Sequence, residues 1–469
     1  MRRIMTLVLA FIGIVVGAGF ASGQEMMQYY VAFGHEGIYG GIIAAVLMSL
    51  VTMAVFQFAS YLLANEHGEV LNFVGTKWIA RFLDLSLLVG MFSIGFVMFA
   101  GAGTNLNQQW GLETWIGALL MYALVVVVGM LDVDRVTKVI GAVTPFILVL
   151  LGIVYVVSFT QHSPSLEFLD DAATQVVTTL PSWWYAALNY SGLVLMTSLS
   201  MAVVISGTAV DLRTTGKAGI WGGIVFSMLL VLSVIALYLN VDKIHAAPMP
   251  LLSLVNHIHP VLGAIMAVVI YFMIFNTAIS LFYAFARRLT ASRPEKFRVV
   301  YIGVTTIGFA LSFAGFKSLV GYVYPIIGVI GLVLSTILIA GWLRYRKKLG
   351  FEAARREVVV ELARKKFDSD VVFTEKEQEI LDQAIEYSNL DEESFREALV
   401  EEVVENSEDV DIADWDDLSA TNPDPEELKA REEEKLREVI ETISAGVDEE
   451  DLIEAQTTSS DNETLKHAE

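Results

Sequence analysis

The chain has 469 residues, of which 55% are hydrophobic, and it contains no cysteine, which excludes disulfides and cysteine-ligated metals. The formal net charge of −22 alone would suggest a soluble acidic protein, but the charge is unevenly spread. Residues 350–469 hold 39 Asp and Glu against 12 Lys and Arg, whereas residues 1–349 hold 14 acids and 19 bases. We therefore divide the chain into an apolar domain, 1–349, and an acidic tail, 350–469.

The apolar domain consists of consecutive stretches that are long enough to cross a bilayer, for which an α-helix needs about 20 apolar residues. We number them spans 1 to 10 in chain order: residues 5–31, 38–63, 83–103, 114–131, 137–159, 183–206, 218–239, 260–286, 298–313 and 318–343. This pattern predicts an all-α integral membrane protein with ten transmembrane helices.

The distribution of basic residues between the loops predicts the orientation. With the N-terminus inside, seventeen Lys and Arg lie in cytoplasmic segments, and only Lys243 and Lys317 lie in external loops. Basic residues concentrate on the cytoplasmic side of membrane proteins. We therefore expect a multi-pass protein of the plasma (inner) membrane with both termini in the cytoplasm.

Ten spans divide into two sets of five. Because five is odd, a second copy of a five-helix unit has the opposite orientation in the membrane. This is the 5+5 inverted repeat common among secondary transporters.

Span 1 contains "FIGIVVGAGFASGQEMMQYY", residues 11–30, in which Gly17, Gly19 and Gly23 follow one another closely. Each glycine weakens a helix by about 1 kcal/mol relative to alanine, so three of them favour a break. Beyond a break, free backbone amides can bind a carboxylate, here those of Ala18, Gly19 and Phe20. The alternative is close helix packing, for which Gly13 and Gly17 have the right spacing.

Glu25 is a carboxylate within the same span, and such residues usually face a cavity or a partner. It could bind the amine of a solute, carry a coupling proton or form an outer gate. The alternative is a side chain that reaches the external interface.

Span 6 is the counterpart of span 1 in the second half of the repeat, and it is also irregular. Interrupted helices in corresponding positions mark the binding sites of such transporters. Two polar clusters are candidates for the break and for solute binding: Asn189, Tyr190, Ser191 and Gly192, and then Thr197 and Ser198.

The sequence "VVGAGFASGQEMMQYYVAFG", the ten-span plan and the polar span 8 resemble the YkvI-type permeases. These are distant relatives of the amino acid–polyamine–organocation superfamily with the LeuT fold. The resemblance covers about residues 4–345. It implies a central site between spans 1, 3, 6 and 8, alternating access and an amino acid as solute.

The resemblance also implies a site for a coupling ion. In sodium-coupled relatives, carbonyls before the break in span 1 and hydroxyls of span 8 bind the ion. The matching positions in this chain are Gly13, Val16, Asn276 and Thr277, with Ser280 nearby. Asn276 stands where relatives carry a hydroxyl residue. The alternative to ion binding is that Asn276 and Thr277 form hydrogen bonds with neighbouring helices. Proton-coupled relatives can use a lysine in the middle of span 5, but Lys138 lies at its inner end. This favours Na⁺ as the coupling ion, although H⁺ stays an alternative because Glu25 could carry a proton.

The acidic tail contains little from which to build a core. The segments 374–390 and 425–443 have helical periodicity, and the rest is highly charged, so we expect a largely disordered or short-helical tail. It is either a docking segment for a cytoplasmic partner or a solvating extension. Its negative charge disfavours binding to nucleic acid.

These features predict a secondary active transporter, an ion-coupled symporter or exchanger, of a small amine-containing solute, with an amino acid expected. A membrane sensor with a signalling tail is the main alternative, and a divalent-metal carrier fits less well because the glycines of span 1 offer no metal ligands. We expect no enzyme activity, no cofactor and no transition metal, with Na⁺ or H⁺ as the coupling ion.

Overall fold

The computed structural model describes residues 2–130, 144–161, 164–366 and 373–406. Within these ranges all regular structure is helical. The helices, numbered here in chain order, are α1 (Arg2–Val15), α2 (Ala18–Ser22), α3 (Gln24–Tyr29), α4 (His35–Leu62), α5 (His67–Val74), α6 (Lys77–Trp110), α7 (Thr114–Gly129), α8 (Thr144–Thr160), α9 (Leu166–Ala173), α10 (Trp183–Gly207), α11 (Leu212–Tyr238), α12 (Val241–Ile244), α13 (Pro250–Ile258), α14 (Pro260–Leu289), α15 (Phe297–Leu311), α16 (Phe316–Lys366), α17 (Glu375–Glu386) and α18 (Glu392–Asn406).

Every predicted span contains an apolar helix. Helices α1 to α3 form span 1, α4, α6, α7 and α8 form spans 2 to 5, and α10, α11, α14, α15 and α16 form spans 6 to 10. In the described ranges, seven helices are long and apolar enough to cross a membrane, and three shorter apolar helices lie in spans 1, 4 and 5. The all-helical membrane fold is confirmed, and the count of ten crossings stays a prediction.

Helices at corresponding positions of the two halves pack against each other. Span 1 contacts span 6 through α1 and α10, and span 2 contacts span 7 through α4 and α11. Spans 3 and 8 pack through α6 and α14, and spans 4 and 9 through α7 and α15. A repeat with a two-fold axis in the membrane plane produces this pairing.

Glycines allow α4 and α11 to approach closely. A Cβ on Gly219 would lie 2.6 Å from the Cα of Met53, and a Cβ on Gly223 would lie 2.5 Å from the Cα of Ser49. Neither position has room for a side chain. Small residues bring membrane helices together in this way, because lipid supplies no hydrophobic force between them.

Helix α16 extends span 10 well beyond the bilayer, so the predicted boundary at 349/350 falls within one continuous helix. Its last turns pack with α17 and α18, and we call residues 350–366 and 373–406 the docked extension. We expected little core here, but these elements share a cluster of buried apolar residues: Val210, Val359, Val360, Ala363, Phe373, Ile380, Leu381, Ala384, Ile385, Phe395 and Leu399. The helix predicted within 374–390 is present as α17, and residues 425–443 lie outside the described residues.

Arg356 links the docked extension to the C-terminal end of α4. Its side chain is fully buried, pairs with Glu352 at 2.7 Å and donates to the carbonyls of Ser60 and Tyr61, both at 2.8 Å. These carbonyls belong to the last turn of α4, where carbonyls lack partners within the helix. The guanidinium therefore completes the hydrogen bonding of a helix end inside the membrane domain.

Candidate functional site at the break in span 1

The predicted break in span 1 is present between α1 and α2. The amide of Val16 still donates to Ile12 at 2.8 Å, but the amide of Gly17 donates to Val15 at 2.8 Å instead of the carbonyl four residues earlier. Gly17 is extended, with φ −98° and ψ −169°, and the amide of Ala21 then opens α2 by donating to Gly17 at 3.0 Å. The amides of the first turn of α2 have no acceptor within their own helix.

A second interruption follows at Gly23, which separates α2 from α3. Its φ of +79° lies in the left-handed region, which glycine adopts without strain. A Cβ would also lie 2.8 Å from the side chain of Leu251 in α13. This turn redirects α3, so that Glu25 points back toward α2.

The carboxylate of Glu25 lies directly against Gly19. A Cβ on Gly19 would overlap Oε1 of Glu25, so any side chain at this position would displace the carboxylate. The other oxygen, Oε2, accepts a hydrogen bond from the hydroxyl of Tyr190 in α10 at 3.1 Å. Glu25 remains partly accessible, although Gln24 and Met26 beside it are buried.

Buried tyrosines surround this contact. The ring of Tyr190 packs on Tyr29 and Tyr30, with centroids 5.3 Å and 5.5 Å away. The hydroxyl of Tyr29 donates to Oδ1 of Asn189 at 3.2 Å. The hydroxyl of Tyr30 is buried and has no hydrogen-bond partner in the part of the chain that the structure describes. Spans 1 and 6 therefore meet through an aromatic cluster around one carboxylate.

Pro325 in α16 also contributes to this region. Proline has no N–H, so it leaves the carbonyl of Gly321 without its usual donor. Thr179 donates to this carbonyl at 2.7 Å, and Gln28 of α3 donates to it at 3.4 Å. The side-chain nitrogen Nδ2 of Asn189 donates to the carbonyl of Pro325 itself at 2.9 Å. These bonds join spans 1, 6 and 10.

The predicted break in span 6 is wrong, because α10 is continuous from Trp183 to Gly207. Hydroxyls in both polar clusters bond their own helix: Ser191 donates to Ala187, and Thr197 and Ser198 donate to Val194.

Gly192 serves helix packing instead of a break. A Cβ there would lie 2.5 Å from the backbone nitrogen of Leu332 and would overlap the carbonyl of Gly328 in α16. Of the residues proposed in span 6, the structure brings only Tyr190 to Glu25 by a hydrogen bond, with Asn189 one contact away through Tyr29.

Part of the proposed ion site lies beside the break. A Cβ on Gly17 would be 3.9 Å from Oγ1 of Thr277, which itself donates to the carbonyl of Met273 at 3.0 Å. Oδ1 of Asn276 is buried without a hydrogen-bond partner among the described residues, which is uncommon for a buried polar atom.

The other members of the proposed ion site are placed differently. Val16 is buried, whereas Gly13 and Ser280 are exposed. Lys138 lies outside the described residues.

Sequence reasoning did not assign a role to Tyr29, Tyr30, Tyr324 or Pro325. Tyr324 is buried and within electrostatic range of Glu25. The sequence signals were present, as a pair of tyrosines four and five residues after the acid and as "YVYP" in span 10. Aromatic residues are common in membrane helices, so the pattern became informative only once Glu25 was placed.

The comparison with solved structures identifies the arrangement. The structure of MhsT in complex with L-phenylalanine matches 84% of this chain and 96% of its own, with a TM-score of 0.54 and 15% identity. The chain has the LeuT fold.

Two relatives of the chain come from Bacillus subtilis (strain 168), whereas no family model matches the chain. The uncharacterized membrane protein YkvI is 22% identical over 333 residues, which is 71% of this chain and 94% of YkvI. The uncharacterized protein YyaD is 24% identical over 343 residues, 72% of this chain and 96% of YyaD. The resemblance to YkvI-type proteins is confirmed.

Proposed function

We propose that this protein is a secondary active transporter of a small amine-containing solute. The observation that carries the proposal is the break at Gly17, which lies beside a carboxylate held by the opposite half of the repeat. Transporters of this fold bind their solutes at discontinuous helices near the bilayer midplane. Binding there favours one of two orientations of the central site, and no covalent chemistry is needed.

The solute is expected to be an amino acid. The amides of Ala18, Gly19 and Phe20 would bind its carboxylate, and Glu25 would bind its amine. MhsT is described in complex with L-phenylalanine, which supports this class of solute. Tyr190 and Asn189 would close the site from span 6, with Tyr190 in direct contact with Glu25.

Two ions remain candidates for coupling. Na⁺ would bind the carbonyls of Gly13 and Val16 together with the side-chain oxygens of Asn276 and Thr277, because oxygen donors suit a hard cation. H⁺ would bind Glu25. The proposed location is the inner membrane, with both termini in the cytoplasm.

A thermal-shift screen of the purified full-length protein tests the proposal. Ligands that bind only the native state raise its stability, by about 2.7 kcal/mol at 100 times Kd. We expect at least one standard amino acid, or the amine formed from it by decarboxylation, to raise Tm. The same screen in sodium and in potassium chloride separates the two ions. If no amino acid or amine raises Tm in either salt, the proposal is wrong.

The alternative, a sensor, is tested by deleting residues 407–469. This deletion keeps the docked extension and all contacts described above. A transporter reconstituted in liposomes should move its solute with or without these residues, whereas a sensor should bind the solute and move it in neither form.

A further inference from the structure

Glu25 is an isolated charge among the spans that surround the proposed site. The segments 4–34, 85–112, 183–210, 260–286 and 318–343 contain no Asp, Glu, Lys, Arg or His other than Glu25. These segments cover most of spans 1, 3, 6, 8 and 10. These five segments therefore supply no fixed cation to balance the carboxylate.

The immediate neighbours of the carboxylate are all neutral. Among the described residues, its hydrogen-bond donor is the hydroxyl of Tyr190. Tyrosines face it from three elements, Tyr29 and Tyr30 from α3, Tyr190 from α10 and Tyr324 from α16, and all four lie within electrostatic range. A carboxylate in a membrane core is costly unless a proton or another cation neutralises it.

Both oxygens of the carboxylate have a neighbour among the described residues, since Oε1 lies against Gly19 and Oε2 accepts the hydrogen bond of Tyr190. Because Glu25 is partly accessible, its carboxylate can exchange a proton with water or receive a solute. A proton on the carboxyl group would remove the charge that attracts an ammonium group.

Resting on the proposed function, we infer that Glu25 holds either a proton or the ammonium group of the solute, never both, and that the protein exchanges the two across the membrane. The solute arrives already protonated, as R–NH₃⁺. Binding breaks the O–H bond of the Glu25 carboxyl group, the proton passes to water, and the ammonium group takes its place. Release on the other side reverses the step, so protons and solute move in opposite directions.

The experiment is a proton-release measurement on the purified full-length protein in weak buffer with a pH indicator. Each standard amino acid and each amine formed from it by decarboxylation is added singly, and binding is followed in parallel by thermal shift. We expect a compound that binds to release close to one proton per molecule bound, by linkage. Exchange also predicts that an inward proton gradient drives the compound out of liposomes.

Glu25→Gln is the test variant, since the amide keeps an acceptor for Tyr190 but cannot exchange a proton. It should release no proton. The matched control, Glu36→Gln, changes an exposed acid at the start of α4 and should behave as wild type.

The outcomes separate the two proposals. Binding without proton release, or equal release from Glu25→Gln, overturns the exchange at Glu25 and leaves the transporter proposal standing. Binding that requires sodium and releases no proton assigns coupling to Na⁺ and also overturns it. If no amino acid or amine binds, the proposed function fails, and this inference fails with it.

Discussion

Tyr190 of span 6 donates a hydrogen bond to the carboxylate of Glu25 in span 1, over 3.1 Å. The two residues come from corresponding spans of the two repeats. Their contact places the carboxylate of span 1 at the interface between the two repeats. A solute bound there would contact both repeats.

Replacing Tyr190 with Phe tests this contact. The ring would still pack on Tyr29 and Tyr30, but Glu25 would lose its donor. Hydrogen bonds to charged groups contribute about 1.5–3 kcal/mol, so we expect solute affinity to fall by about ten- to a hundredfold. Isothermal titration calorimetry measures the change. Tyr122→Phe removes a hydroxyl that bonds Thr306 away from the site, and it should bind as wild type. Equal affinities for Tyr190→Phe and wild type would contradict the role of Tyr190.

Gly19→Ala tests the close approach of Glu25 to α2. The new methyl group would overlap Oε1 and displace the carboxylate. We expect binding and uptake to be lost while the folded protein remains, as size-exclusion chromatography would show. Gly152→Ala, in α8, is the matched control, since its Cβ would meet no atom within 4 Å. Normal uptake by Gly19→Ala would show that the position of Glu25 is unimportant.

Thr277→Val tests the proposed sodium site. The substitution keeps the volume but removes the oxygen near Gly17. If sodium binds there, the rise of Tm in sodium relative to potassium should disappear in the variant. Thr336→Val removes a hydroxyl that bonds only its own helix and should keep the sodium response. A sodium response of wild-type size in Thr277→Val would exclude this threonine as a ligand.

Arg356→Met tests the docked extension. Removing one partner of a buried ion pair costs about 3–5 kcal/mol. The substitution also removes one of the two donors to each of the carbonyls of Ser60 and Tyr61. We expect a lower Tm and faster proteolysis near residues 350–406. Arg346→Met changes an exposed arginine of the same helix and should leave both unchanged. Wild-type Tm in Arg356→Met would mean that the docking contributes little to stability.

The docking should also weaken in acid. Burial raises the pKa of Glu352, but Arg356, Ser388 and Arg355 outweigh this and hold the pKa below the ordinary value of 4.5. A carboxyl whose pKa is lowered by folding stabilises above its unfolded pKa and loses this contribution as pH falls through the folded value. Proteolysis of the extension should therefore be constant near neutral pH and increase below about pH 4.5. Glu352→Gln should remove this step, and an unchanged step would assign it to another group.

The sequence predicted the break in span 1 because Gly17, Gly19 and Gly23 lie close together in an apolar helix and each weakens it. The same reasoning failed for span 6. Gly192 is needed where α10 meets α16, and a glycine that permits packing cannot be told from one that permits a break until the neighbouring helix is known. The position of Glu25 over Gly19 was equally hidden, since it depends on the left-handed turn at Gly23.

The small core of the docked extension was missed for a related reason. In the sequence, its apolar residues are separated by many Asp and Glu residues. One member, Val210, comes from the membrane domain. Charge and mean hydropathy describe the segment alone, whereas its folding depends on a surface elsewhere in the chain.

The most direct test of the account is an experimental structure of the full-length protein with a stabilising amino acid or amine bound. The account predicts that span 1 is interrupted at Gly17 and that the solute lies at this break, with its amine against Glu25. Continuous helical hydrogen bonding through Val16, Gly17 and Ala18, or a solute bound away from Glu25, would contradict it.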